Sequence, residues 1–109
     1  MAVSSPFGSP TRTRLLLALE LHGQSYAREL SRLLSSSLSV VQKGLASLER
    51  DGLIVGRLIG RTRLFEISPR YFAAKELRRF VGRLAITDTE LRRSITELRR
   101  RPRRAGKRL

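Results

Sequence analysis

Residues 27–67, ARELSRLLSSSLSVVQKGLASLERDGLIVGRLIGRTRLFEI, decide the fold. Ala27, Leu30, Leu33 and Leu34 recur at helical spacing and leave Arg28, Glu29 and Arg32 facing out. Ser35-Ser36-Ser37 follows, too short and too polar to be anything but a turn. A second stripe, Val41, Leu45 and Leu48, predicts a helix over about residues 38–50. Ser37 is its expected N-cap, with Ser39 and Gln42 as an alternative capping box. Gly52 ends it. Leu53 to Ile59 and Thr62 to Ile67 then carry strand character, joined through Ile59-Gly60-Arg61-Thr62 as a hairpin tip. The order is helix, turn, helix, hairpin.

The flanks extend this frame. Residues 1–8 hold Ser, Pro and Gly and read as a flexible arm. Ser9-Pro10 starts a first helix with serine as cap and proline at its first position. Leu15, Leu16, Ala18 and Leu19 give that helix its buried side, and Gly23 ends it. Ser25 is the expected cap of the second helix, Tyr26 to Leu34. Beyond the hairpin, Ser68-Pro69 opens a helix through Tyr71, Phe72, Ala74, Leu77, Phe80, Val81 and Leu84. Thr87 with Glu90 reads as a capping box for a last helix with Leu91, Ile95 and Leu98 as one stripe. The prediction is a mainly α chain with a small β-hairpin: an arm over 1–8, a domain over 9–84, a C-terminal helix over 85–100, and a basic disordered tail over 101–109.

Charge narrows the partner. Among 109 residues, 23 are Lys or Arg and nine are Asp or Glu, a net charge of +14. Arg99, Arg100, Arg101, Arg103, Arg104, Lys107 and Arg108 lie at the C-terminal end, leaving 16 basic against nine acidic over residues 1–98, or +7. The body is therefore basic in its own right, which implies a polyanionic partner. With no cysteine and one histidine, His22, the chain cannot make a disulfide or a thiolate metal site. It shows no Ser/His/Asp set, Gly-rich phosphate loop or paired carboxylates, so neither catalysis nor a cofactor is expected. No run reaches the length of a membrane span.

Between two helices set at a steep angle, the second projects and enters a DNA major groove when its free face is polar, small and not acidic. Here that face offers Ser37, Ser39, Gln42 and Lys43. Glutamine pairs with adenine in bidentate fashion, and lysine reaches guanine or phosphate. Glu49 and Asp51 lie at the far end, where solvated charge is the default reading. The hairpin adds Arg57, Arg61, Thr62 and Arg63 for the phosphate backbone or minor groove. Arg12, Arg14, Arg28 and Arg32 are weaker candidates for further contacts.

This pattern resembles the winged helix-turn-helix domains of ArsR-like and MarR-like bacterial and archaeal regulators. The resemblance rests on a leucine-bearing helix, a serine N-cap, a recognition helix ending in L-x-x-x-G-L-[IV], and a G-R-x-R wing, with FGSPTRTRLLLAL (7–19) similar to the first helix of the group. It covers about residues 7–84. It implies a homodimeric transcriptional regulator of double-stranded DNA, cytoplasmic and nucleoid-associated, with no known effector. Two departures stand out: Ser35 where relatives usually carry glycine, and Gly44 inside the recognition helix. The metal sensing of some ArsR-like proteins is not expected without cysteines.

Leu91, Ile95 and Leu98 are the expected dimer seam, with packing on the domain's own first helix as the alternative. A dimer would set two recognition helices about 34 Å apart on a roughly palindromic site. Two other functions fit the charge. An RNA-binding or ribosome-associated module would leave Gln42 and Lys43 dispensable, because a helix does not enter the deep, narrow A-form major groove. An adaptor or antitoxin-type interaction module would bind nucleic acid only weakly without the tail.

Overall fold

The computed structural model describes residues 6–100. Most of the expected arm and all of the expected 101–109 tail lie outside the described residues. Among the described residues there are five helices and a three-stranded antiparallel sheet: α1 (Pro10–His22), β1 (Ser25–Tyr26), α2 (Ala27–Leu34), α3 (Leu38–Arg50), β2 (Ile54–Ile59), β3 (Thr62–Ile67), α4 (Ala74–Ile86) and α5 (Thr89–Arg100). The sheet order is β1-β3-β2.

Helix α1 is the hub. The Ser9 Oγ accepts the Arg12 amide at 3.1 Å and Pro10 follows it. Gly23, at φ 93°, closes the helix with its amide donating to the Leu19 carbonyl. Leu15, Leu16, Leu17 and Ala18 are fully buried, and Leu19 nearly so. Five consecutive residues sweep more than a full helical turn, so α1 needs neighbours on all sides. It has them in α2, α3, α4, α5 and β3. Each such leucine contributes about 1.5–3 kcal/mol of burial. The sequence assigned Leu17 no place in the core; the structure buries it because this helix has no outward face there.

The turn between α2 and α3 is tight because Ser35 adopts a left-handed conformation, φ 52° and ψ 43°. It is the one non-glycine residue with positive φ among those described, and it stands where the resemblance expects glycine. The Ser31 hydroxyl braces the turn by donating to the Ser36 carbonyl at 2.6 Å. Ser37 caps α3, its Oγ accepting the Val40 amide at 3.3 Å. Gly44 is the point where α3 approaches α1: a Cβ there would lie 2.7 Å from Leu15 Cδ1 and 3.2 Å from Thr11 Cγ2.

Several expectations need correction. Ser25 does not cap α2. It is fully buried in the short strand β1, paired with Phe65, and its hydroxyl donates to the Gly23 carbonyl. The amide that begins α2 is instead satisfied by Glu29, whose Oε1 accepts from the Tyr26 N–H at 2.9 Å. Ser68-Pro69 opens a turn through residue 73 rather than a helix, and α4 begins at Ala74 and runs to Ile86. Asp88, not Thr87, caps α5, accepting the Leu91 amide at 3.0 Å, while the Thr87 hydroxyl donates back to the Leu84 carbonyl. The Leu91–Ile95–Leu98 stripe is not an open seam. Leu91 and Ile95 are buried in the chain's own core and Leu98 packs against it.

Two substitutions test this account. Ser35→Gly removes the left-handed penalty and is expected to stabilise the chain by about 1 kcal/mol. Gly44→Ala, which on an open helix would gain about 1 kcal/mol, is expected to lose stability because overpacking against Leu15 costs about 1–3 kcal/mol. Urea denaturation midpoints read both.

Candidate nucleic-acid interface

Because Val41, Gly44, Leu45 and Leu48 turn α3 onto the core, its opposite face is free. Ser39, Lys43, Ala46 and Arg50 fall at i, i+4, i+7 and i+11 along that face, with Gln42 beside them, and all five are exposed. Ser37 is exposed at the N-terminal end, its hydroxyl shared with the cap and with Ser39 Oγ at 3.4 Å. The structure thus brings Ser37, Ser39, Gln42 and Lys43 together on one surface. It adds Val40, 43% exposed on the flank, an apolar side chain of the kind that meets a thymine methyl. Val40 lies about 100° from the buried stripe, and that phase separates it from Val41 in the sequence.

The hairpin stands beside α3. Ile59 pairs with Thr62 across a two-residue Gly60-Arg61 tip, with Gly60 at φ 65°. Arg57, Arg61 and Thr62 are exposed, and none of them carries an ion pair among the described residues.

Arg63 behaves differently. Its guanidinium makes a two-pronged contact with the Glu49 carboxylate at the end of α3. It also donates to the Gly56 carbonyl at 3.0 Å and lies over the Phe65 ring, 5.1 Å from its centroid. Gly56 makes this possible: a Cβ there would come within 2.9 Å or less of Arg63 and Phe65 atoms. The Gly56 amide in turn donates to Glu49 at 3.3 Å. The hydrogen bond from Arg63 holds the Glu49 carboxyl below its ordinary pKa, with the positive charge and the Gly56 amide acting the same way against partial burial. Glu49 likewise raises the Arg63 pKa. Arg63 therefore fastens the hairpin to α3, and the expectation that it displays a free charge is corrected. Glu49 is correspondingly not the free solvated acid that the sequence implied.

Asp51 is also occupied. Arg12 reaches it at 2.8 Å while donating to the Ser47 hydroxyl and the Phe7 carbonyl. Arg14 lies 3.5 Å from Asp88 and donates to the Leu34 carbonyl at 3.4 Å. Both are internal braces rather than surface contacts. Arg28 and Arg32 are exposed and unpaired among the described residues. With Gln42, Ala46, Arg61 and Thr62 they rim a groove of about 690 Å³ between α2, α3 and the hairpin, floored by Leu38, Leu45 and Phe65.

A helix set across another after a tight turn, with a hairpin fastened to its end, settles the architecture. The fold is a winged helix. Solved structures agree. The adhesin competence repressor AdcR of Streptococcus pyogenes superposes with a TM-score of 0.59 at 20% identity, over 86% of this chain and 68% of that one. A mutant form of ZitR from Lactococcus lactis gives 0.59 at 19% identity, over 83% of this chain and 59% of that one. No family profile and no curated protein matches the sequence. The hairpin is the wing, and α3 is the helix that follows the tight turn. Among the described residues, no group of three His, Asp or Glu side chains could hold a metal ion. His22 Nε2 lies 3.7 Å from Glu29. None of the described helices is long and apolar enough to cross a membrane.

The Glu49–Arg63 pair has a pH signature. A carboxyl whose folded pKa is depressed adds stability that is present above its unfolded pKa, about 4.3. That stability disappears as pH falls through the lower folded value. The pair is partly solvent-screened, so about 0.2–1 kcal/mol is expected. Urea denaturation of the wild type and of Glu49→Gln should differ by that amount at pH 7 and converge as the pH falls below the lowered folded value.

Proposed function

We propose that this chain binds duplex DNA as a transcriptional regulator, with α3 in the major groove and the wing on the flanking backbone. The observation that carries this reading is the neutralisation of acid around α3. Glu49 is bound by Arg63 and Asp51 by Arg12, while Lys43, Arg50, Arg57 and Arg61 stay exposed on α3 and the wing. A surface from which acid has been withdrawn and on which cations remain suits phosphate.

In this reading Gln42 and Lys43 address base edges, and Ser37 and Ser39 seat the N-terminus of α3 against phosphate. Arg57, Arg61 and Thr62 hold the backbone beside the wing, and Arg63 acts indirectly by fixing the wing's angle. Arg28 and Arg32 extend the basic rim. The AdcR protein is by name a repressor, which favours a regulatory role and, with it, a place on the nucleoid in the cytoplasm. The chain acts as a homodimer on two half-sites.

Duplex binding at several salt concentrations, with RNA as competitor, tests the proposal. Gln42→Ala with Lys43→Ala should weaken duplex affinity at least tenfold, about 1.4 kcal/mol, and flatten sequence preference. Arg61→Ala should weaken all sequences alike and reduce the salt slope by about 1. Unchanged binding in the double variant, or a preference for RNA, would overturn it.

A further inference from the structure

The tip of the wing carries apolar side chains where a solvent-facing hairpin is ordinarily polar or charged. Leu58 is 68% and Ile59 44% exposed. They are the last two residues of β2 before the Gly60-Arg61 turn, so the alternation of a strand sends them to opposite faces of the ribbon. Leu58 pairs with Arg63 on one face and Ile59 with Thr62 on the other. The turn holds only two residues, and Gly60 supplies its positive φ of 65°. The end of the ribbon is therefore narrow and apolar on both sides.

Two observations say what such a tip meets. The first is that it is two-sided. A protein surface laid against one face of the ribbon would cover Leu58 or Ile59, and not both. A cleft that receives the tip end-on covers both. The second is charge. Residues 53–65 contain no Asp or Glu. Arg57 and Arg61 are exposed and carry no ion pair among the described residues. The nearby Glu49 is held by Arg63. Glu66 lies at the base of the hairpin opposite Val55, where Gln24 donates to it at 3.1 Å. Cations on either side of an apolar tip fit a cleft with anionic walls. The minor groove of a duplex is such a cleft, with a phosphate backbone along each edge.

The groove must change shape to admit the tip. It is about 6 Å wide in B-form DNA. The two backbones of a ribbon alone lie about 4.8 Å apart, and Leu58 and Ile59 thicken both faces. Entry then opens the groove and parts the base step beneath it, which kinks the duplex. A wedge must be backed by the body that carries it. Here the backing stands two residues behind Leu58 on the same face: Arg63 reaches the Gly56 carbonyl at 3.0 Å, grips Glu49 of α3 and lies over Phe65.

We propose that the wing tip is an apolar wedge, with Leu58 and Ile59 entering the minor groove, parting a base step and bending the duplex. This rests on the duplex-binding reading above and adds to it a deformation that phosphate contact alone does not require.

Ligase-mediated ring closure tests it, using the full chain and a linear mixed-sequence duplex of about 100 bp, which is shorter than the persistence length of about 150 bp and rarely closes unaided. Saturating wild type should raise ring closure by about tenfold or more, as a sharp bend in so stiff a rod requires. Leu58→Ser with Ile59→Ser should stay folded by circular dichroism and lose that increase. Because the energy of bending is offset by the contacts that the bend permits, this variant should keep duplex affinity within about threefold. Leu58→Met keeps an apolar wedge and should keep ring closure. Phe72→Ser removes a 91% exposed apolar side chain outside the wing and should change nothing. Three results would overturn the wedge and leave the duplex-binding reading standing: a wild type that binds duplex without raising ring closure, a serine variant that raises it equally, or a Leu58→Met variant that loses it. A wild type that binds no duplex would overturn both.

Discussion

Burial of α1 on every side is the constraint on which the rest of this chain depends. Leu15 through Leu19 leave no outward face over more than one turn, so the other elements must wrap that helix rather than stack on one side of it. The stripe of α3 has one place to go, against α1, and Gly44 is what the approach requires. Once that face is committed, Ser39, Gln42, Lys43, Ala46 and Arg50 are exposed as a consequence. The exposed face of α3 is the remainder left by core packing, which is why small polar and basic residues can occupy it without cost to the fold.

Electrostatics then refines what packing exposes. An acid within a few ångströms of a phosphate would oppose binding through Coulomb repulsion that is poorly screened at such range. The chain has two acids at the end of α3, and each is answered by an arginine: Glu49 by Arg63 from the wing and Asp51 by Arg12 from α1. The first pair also sets geometry. It joins the C-terminal end of α3 to β3 across Gly56 and so fastens the wing to that helix. Neutralisation and positioning are thus performed by the same contact.

The order of the helices and the hairpin (though not β1), the wing tip and the serine and glycine caps of α1 and α3 were legible in the sequence, because local chemistry sets them: Ser9-Pro10, Ser37, Gly23 and Gly60 each satisfy a backbone requirement that any context would impose. The exposed α3 residues were legible for the same reason, as the complement of a stripe. Pairings made across the fold were not. Ser25 looks like a cap but is drawn into a strand by Phe65, which is 40 positions away. Leu91 and Ile95 look like a free seam because a stripe does not say which surface it meets, and the core's need for α5 decides the matter. Arg63 is indistinguishable from Arg61 by composition. Position separates them: Arg63 lies within β3, where its guanidinium reaches Gly56 and Glu49, whereas Arg61 stands in the two-residue tip.

The most direct test of the central claim is to map amide chemical shifts in the ¹⁵N-labelled chain as a DNA duplex is added. The account predicts that perturbations concentrate at Ser37, Ser39, Gln42 and Lys43 and at Arg57, Arg61 and Thr62 of the wing, leaving α4 and α5 largely unmoved. Perturbations centred on α4 or α5, with the exposed face of α3 silent, would contradict it.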